Sequence, residues 1–88
     1  MRSEKEMVRE WMASWLSENT DLPADGIIGR EDENLFSAGI LDSMRFMFLV
    51  AAAEERFGIH FSQEDFEFSS NRYSSFSGFC SIIEGHLP

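Results

Sequence analysis

Apolar residues recur at helical spacing in three stretches of the chain. Met7, Val8, Trp11, Met12, Trp15 and Leu16 form one stripe, and Glu4, Arg9, Glu10 and Ser14 fall on the other side. Ser3 and Glu6 have the spacing of a capping box, which predicts a helix start there. Asn19 to Asp25, with Pro23, predicts its stop. Near the other end, Phe76, Phe79, Cys80, Ile83 and Leu87 make the stripe of a last helix, capped by Ser74 or Ser75. Between these lies Leu35 to Phe57, around which the chain is organised.

In that central stretch, Asp42 is a good N-cap and nothing breaks the helix until Gly58, a natural C-terminal stop. Ser43 then falls at the head of the helix. At about 100° per residue, Phe46, Leu49, Val50, Ala53 and Phe57 share one face, enough to meet a core. Yet Met44, Met47, Phe48 and Ala51 are apolar as well, and they fall on the opposite side. A chain of 88 residues does not easily surround a helix completely. The second apolar side is therefore expected to be exposed, beside Ser43, and to meet a partner.

The rest reads as connections and one short helix. Residues 18–41 are irregular and long for a loop, anchored by Leu22, Ile27-Ile28 and Leu35-Phe36. Ile59-His60-Phe61 is an apolar link, and Ser62 heads a short third helix through about Glu67, with Phe66 and Phe68 turned inward. Residues 69–72 connect it to the last helix. The expectation is an all-α fold: a single domain over residues 1–88, three main helices and a short one, in a small bundle.

Composition and charge narrow the function. Hydrophobic residues make up 43% of the chain, enough for a packed core. One cysteine excludes an internal disulfide, and Cys80, among apolar neighbours, reads as a small buried hydrophobe. A net charge of −9 argues against nucleic acid and against an anionic membrane surface. No apolar run follows the N-terminal Met1-Arg2-Ser3, and no stretch has the length of a membrane span, so the expected compartment is the cytoplasm. Glu31-Asp32-Glu33 matches no calcium loop and reads as a solvated charge run; His60 and His86 belong to no ligand cluster and read as surface or hinge residues. Ser43 lacks a Gly-x-Ser-x-Gly elbow, so no catalytic residues are expected.

Gly39-Ile40-Leu41-Asp42-Ser43-Met44, with Leu35-Phe36 before it and Glu54-Glu55-Arg56-Phe57-Gly58-Ile59 after it, resembles the acyl and aminoacyl carrier proteins over nearly the whole chain. The two residues between Gly39 and Asp42-Ser43 are as in D-alanyl carrier proteins, and Arg45 to Phe48 replace the acidic start of the helix common in acyl carriers. The resemblance implies a four-helix bundle with a long first loop and a short third helix. It implies a 4'-phosphopantetheine arm, taken from coenzyme A and attached to Ser43 in the Asp42-Ser43 motif, holding an acyl or aminoacyl group as a thioester. Implied partners are a phosphopantetheinyl transferase, a cargo-loading ligase or adenylating enzyme, and a downstream transferase or synthase. They would meet a monomer through Met44, Arg45, Met47, Phe48, Ala51, Glu54 and Glu55. The rival is an unmodified acidic helical module that docks partners through the same apolar face.

Overall fold

The computed structural model describes residues 3–23, 25–66 and 72–87, and is all-helical over them. Three α-helices run α1 (Glu4–Asn19), α2 (Ser43–Phe57) and α3 (Phe76–His86). Two short 3-10 turns, Gln63–Phe66 and Arg72–Ser74, lie between α2 and α3.

Each helix starts where its capping residue sits. Ser3 accepts from the Glu6 N–H and Ser75 from the Gly78 N–H. The Asp42 carboxylate accepts from the Arg45 N–H at 2.8 Å. Each bond satisfies a donor that the first helical turn would leave unpaired. Gly58 ends α2 in the left-handed region (φ 65°), where a side chain would be strained.

The core lies where the three stripes meet. Val8, Met12 and Leu16 from α1, Leu49 and Ala53 from α2, and Phe79, Cys80 and Ile83 from α3 are fully buried. Phe46, Val50 and Phe57 pack against them as partly buried residues, so the core face of α2 is the expected one. α3 packs against α1 and against the Arg72–Ser74 turn. A glycine sets the approach at the head of α3: a Cβ on Gly78 would collide with the Arg72 carbonyl. Burial pushes the Cys80 thiol up to about 12, against the opposing pull of the Arg9 cation and with a contribution from the Glu84 carboxylate.

The long loop is tied to the head of α3. The Leu35 N–H donates to the Ser74 carbonyl at 2.7 Å, the Ser77 N–H to the Glu31 carbonyl at 2.9 Å, and the Ser77 hydroxyl to Asp32 Oδ1 at 3.0 Å. Glu33 pairs with Arg30 in solvent. The acidic run therefore fastens the loop as well as meeting water. Leu22, Ile27 and Leu35 are buried and Phe36 packs on the core, as expected, but Ile28 is 74% exposed. Ile27 already fills the place available, and the turn sends its neighbour outward.

The short third helix is a 3-10 helix of four residues, Gln63–Phe66, so the described residues hold three α-helices plus 3-10 turns. Glu67, Phe68 and residues 69–71 lie outside the described residues. Asp65 reaches back to the Ser62 N–H at 2.7 Å and the Ser62 hydroxyl at 3.2 Å, closing the turn. It also contacts His86 Nε2 at 2.8 Å, and the His86 ring stacks edge-on against Phe61. His86, expected as a surface or hinge residue, is a partly buried clasp between this turn and α3. His60 is exposed, as expected. Aromatic rings fill the remaining space: Phe46 touches Phe36, Phe66, Tyr73 and Phe79.

Two outcomes test this packing. Phe79→Ala should cost about 3–5 kcal/mol in denaturant unfolding, and Phe57→Ala less, because Phe57 keeps part of its ring in solvent. Burial raises the Asp65 pKa, but the Ser62 and His86 hydrogen bonds outweigh it and hold the carboxyl below its ordinary value. A depressed carboxyl pKa contributes stability above the unfolded value of about 4, and that contribution is lost as pH falls through the folded value. Asp65→Asn should therefore lower the Tm at pH 7, and the gap to the parent should close on acidification below about pH 4.

Candidate functional site

The site is the head of α2, and the turn before it sets its position. Asn34 Oδ1 accepts from the Phe36 and Ser37 N–H groups at 2.9 and 3.0 Å. The Leu35 carbonyl accepts from both Ile40 and Leu41, at 3.0 and 3.1 Å. Leu35 and Leu41 are both buried, so the turn is pinned at each end and delivers Asp42 to the surface. The Asp42 carbonyl takes the Phe46 N–H at 2.9 Å, and its carboxylate takes that of Arg45. Ser43 is exposed in the first turn, where free N–H groups and the helix dipole favour an anion. No acidic residue lies in that turn to oppose one.

One apolar face runs up the helix from Ser43. Met44, Met47 and Phe48 are 67%, 71% and 61% exposed, and Ala51 is exposed with them. They stand at i, i+3, i+4 and i+7, a single stripe. Exposed apolar patches of this kind mark interaction sites.

The other candidates separate. Arg45 is half-buried beside Asp42 at the head of the helix. Glu54 faces the other way: its Oε2 accepts from the Phe61 N–H at 3.0 Å and lies 3.8 Å from His60 Nδ1. Glu55 is exposed near the far end of α2, about 18 Å along the axis from Ser43. Glu54 is therefore engaged within the chain, while Arg45 and Glu55 remain at the two ends of the exposed face.

Sequence reasoning missed an open cleft of about 600 Å³ next to Ser43, lined by Trp15, Asn19, Asp42, Met44, Arg45 and Phe48. It forms because α1 and α2 run antiparallel with bulky side chains between them. Trp11 meets Phe57 edge-on at one end, while Trp15 and Asn19 stand over the head of α2 at the other. The spacing of Trp11, Trp15 and Asn19 at i, i+4 and i+8 was the available signal. Among the described residues no group of His, Cys, Asp and Glu could hold a metal ion, and no helix is long and apolar enough to cross a membrane.

Residues 10–80 match the family model described as the phosphopantetheine attachment site. The match spans most of the chain, which therefore belongs to the phosphopantetheine-binding carrier family. It is a carrier protein whose cofactor is 4'-phosphopantetheine, bound covalently on a serine. Carrier domains of this family are in general not catalysts and work with partner enzymes such as transferases and synthases. No curated protein and no solved structure matches the chain.

The residues at the head of α2 fit the group: an exposed hydroxyl, a nearby cation in Arg45, and an open cleft alongside. The cap itself can be tested. Asp42→Ala should cost about 1 kcal/mol in thermal or urea unfolding, the usual value of an N-cap, without loss of the overall fold.

Proposed function

We propose that Ser43 is the serine that takes the arm, and that the protein carries an aminoacyl or specialised acyl group as a thioester on the arm's terminal thiol. The observation that carries this reading is the exposure of Ser43 at the capped head of α2, next to an exposed apolar stripe. Several other described serines are occupied or enclosed. Ser74 is buried, Ser75 caps α3, and the hydroxyls of Ser62 and Ser77 are spent on Asp65 and Asp32.

The chain's own part in the chemistry is to present and orient. In the transfer, the Ser43 oxygen forms a bond to the β-phosphorus of coenzyme A, its proton leaves to a base of the transferase, and the adenosine 3',5'-bisphosphate half departs. The bound arm supplies a thiol that forms the thioester. Loading and unloading are then work for other enzymes, an adenylating ligase and an acyltransferase or synthase, with this protein as a monomeric, cytoplasmic substrate.

Met44, Met47, Phe48 and Ala51 form the docking face on this reading. Methionine repacks easily against successive partners. Arg45 and Glu55 lie at either end and set orientation by charge. The apolar start of α2 and the two-residue spacing between Gly39 and Asp42 favour a dedicated pathway of the D-alanyl type over general fatty-acid synthesis.

Incubation with a phosphopantetheinyl transferase and coenzyme A, followed by intact mass, tests the site. The parent should gain one arm and Ser43→Ala none, with an unchanged Tm. An arm on the alanine variant would move the site elsewhere. No arm on the parent would leave the unmodified docking module as the reading. Phe48→Glu should keep its helicity and Tm near the parent's while loading by the cognate ligase falls at least tenfold; an unfolded variant would make Phe48 a core residue.

A further inference from the structure

We propose that the groove between α1 and α2, at the end away from Ser43, is a second docking site, and that it takes a basic amphipathic helix of a partner protein. The groove is a row of three open hollows. The first, about 410 Å³, is lined by Trp11, Trp15, Ala52, Glu55 and Arg56. The second, about 280 Å³, shares Trp11 and Arg56 and adds Met7 and Glu10. The third, about 140 Å³, shares Met7 and Arg56 and adds Glu4 and Phe57. The shared residues join the hollows into one groove. Its walls repeat every four residues, at Met7, Trp11 and Trp15 on α1 and at Ala52 and Arg56 on α2, a step of about 6 Å.

The floor is apolar and open to solvent. Met7 is 43% exposed, and the half-buried Trp11 and Trp15 pack on the core while still lining the groove. Arg56 is exposed, with its guanidinium 5.2 Å from the centre of the Phe57 ring, and it forms no ion pair with another described residue. Tryptophan and arginine are the residue types on which binding energy concentrates at interfaces.

The walls and the charge select the occupant. Both walls are helices, whose main-chain groups are spent on their own turns, so an extended peptide finds no strand edge to pair with. A helix brings its backbone already paired. Its apolar side chains, one turn apart, rise by about 5–6 Å and match the step of the groove. Glu4, Glu10 and Glu55 stand in the lining against the single cation Arg56, in a chain of net charge −9. The matching helix therefore carries Lys or Arg along its flanks and one acid opposite Arg56. The groove also continues toward the exposed stripe of α2, since Trp15 lines the cleft with Met44 and Phe48 as well.

The position gives the site its use. Arg56 follows Ser43 by 13 residues, about 20 Å along the axis of α2. A helix seated over Met7, Trp11 and Arg56 leaves the head of α2 open. A protein bound there retains the carrier while the enzymes that act at Ser43 come and go. The groove itself does not depend on which serine takes the arm.

The test selects a displayed library of helical peptides, as long as α1, against the full chain. Apolar residues are fixed one turn apart, and the flanks are randomised over Lys, Glu and Gln. Recovered peptides should carry Lys on their flanks, and a synthetic copy of one should move the Trp11 and Trp15 indole resonances of the ¹⁵N-labelled protein. Met7→Lys should weaken its binding at least tenfold, while Met47→Lys, the same charge placed on the other face, should leave it unchanged. Should Met7→Lys fail to fold, the indole shifts in the parent still locate the peptide. Peptides with acidic flanks, no recovered peptide, or binding lost in Met47→Lys with the indoles unmoved would each overturn the proposal. Transferase and coenzyme A are then added with and without saturating peptide. Equal gain of the arm is expected; a bound peptide that blocks it would overturn the retaining role. No arm in either sample would overturn Ser43 as the attachment point and leave the groove standing.

Discussion

The position of Leu35 decides where everything else can be. Its side chain is fully buried, its N–H is bound to Ser74, and its carbonyl holds two N–H groups of the turn that follows. One residue thus joins the core, the head of α3 and the start of α2. The connection between α1 and α2 runs through residues 20–42 with no helix or strand among its described residues, and a loop of that length would ordinarily leave its far end loosely placed. Fastening at Leu35, and again where Ser77 meets Glu31 and Asp32, turns a long connection into a rigid bracket. Ser43 is presented at a fixed place because of that bracket. On the reading that Ser43 takes the arm, partner enzymes find the same serine in the same orientation at every encounter, and preorganisation of this kind lowers the ordering cost of each.

The space beside α2 is filled by rings. Phe36, Phe46, Phe61, Phe66, Tyr73 and Phe79 touch one another in tilted or edge-on pairs. Aromatic side chains bring large buried area on few residues. A four-residue turn with Phe66 at its end can therefore close a gap that aliphatic residues would need a longer helix to close. The Asp65–His86 clasp holds that turn against α3 from the outside.

Local pattern carried much of the fold. The three helix starts, the core face of α2 and its exposed Met44, Met47 and Phe48 follow from spacing and capping chemistry, which act within a few residues. The motif from Gly39 to Met44 carried the cofactor. What was not legible depends on contacts between distant positions. Ser77 and Asp32 are 45 residues apart, and nothing in an acidic run announces which hydroxyl it will hold. His86 read as a surface or hinge residue because Asp65 and Phe61 reach it only through the tertiary fold. Ser62 and Asp65 read as an ordinary helix start, and the 3-10 geometry of Gln63–Phe66 is set by rings of the aromatic cluster that come from distant parts of the chain. The cleft at Trp15 needs two helices at a known separation, which no single stripe encodes. Cargo is silent for a plainer reason: it is chosen by the enzyme that loads it.

Cys80 bears on the fidelity of such a carrier. A thioester is an activated acyl group, and any accessible thiolate in the same molecule can intercept it by thiol exchange. The chain has one cysteine; its sulfur is enclosed in the core, donates toward Met12 Sδ at 3.6 Å, and has a pKa of about 12. At neutral pH the thiolate is scarce as well as out of reach. On the reading proposed above, the only thiol that can exchange acyl groups is the one at the end of the arm. A loaded carrier then has no internal route for misplacing its cargo, and a thiol-directed label added to the folded protein would report on the arm alone.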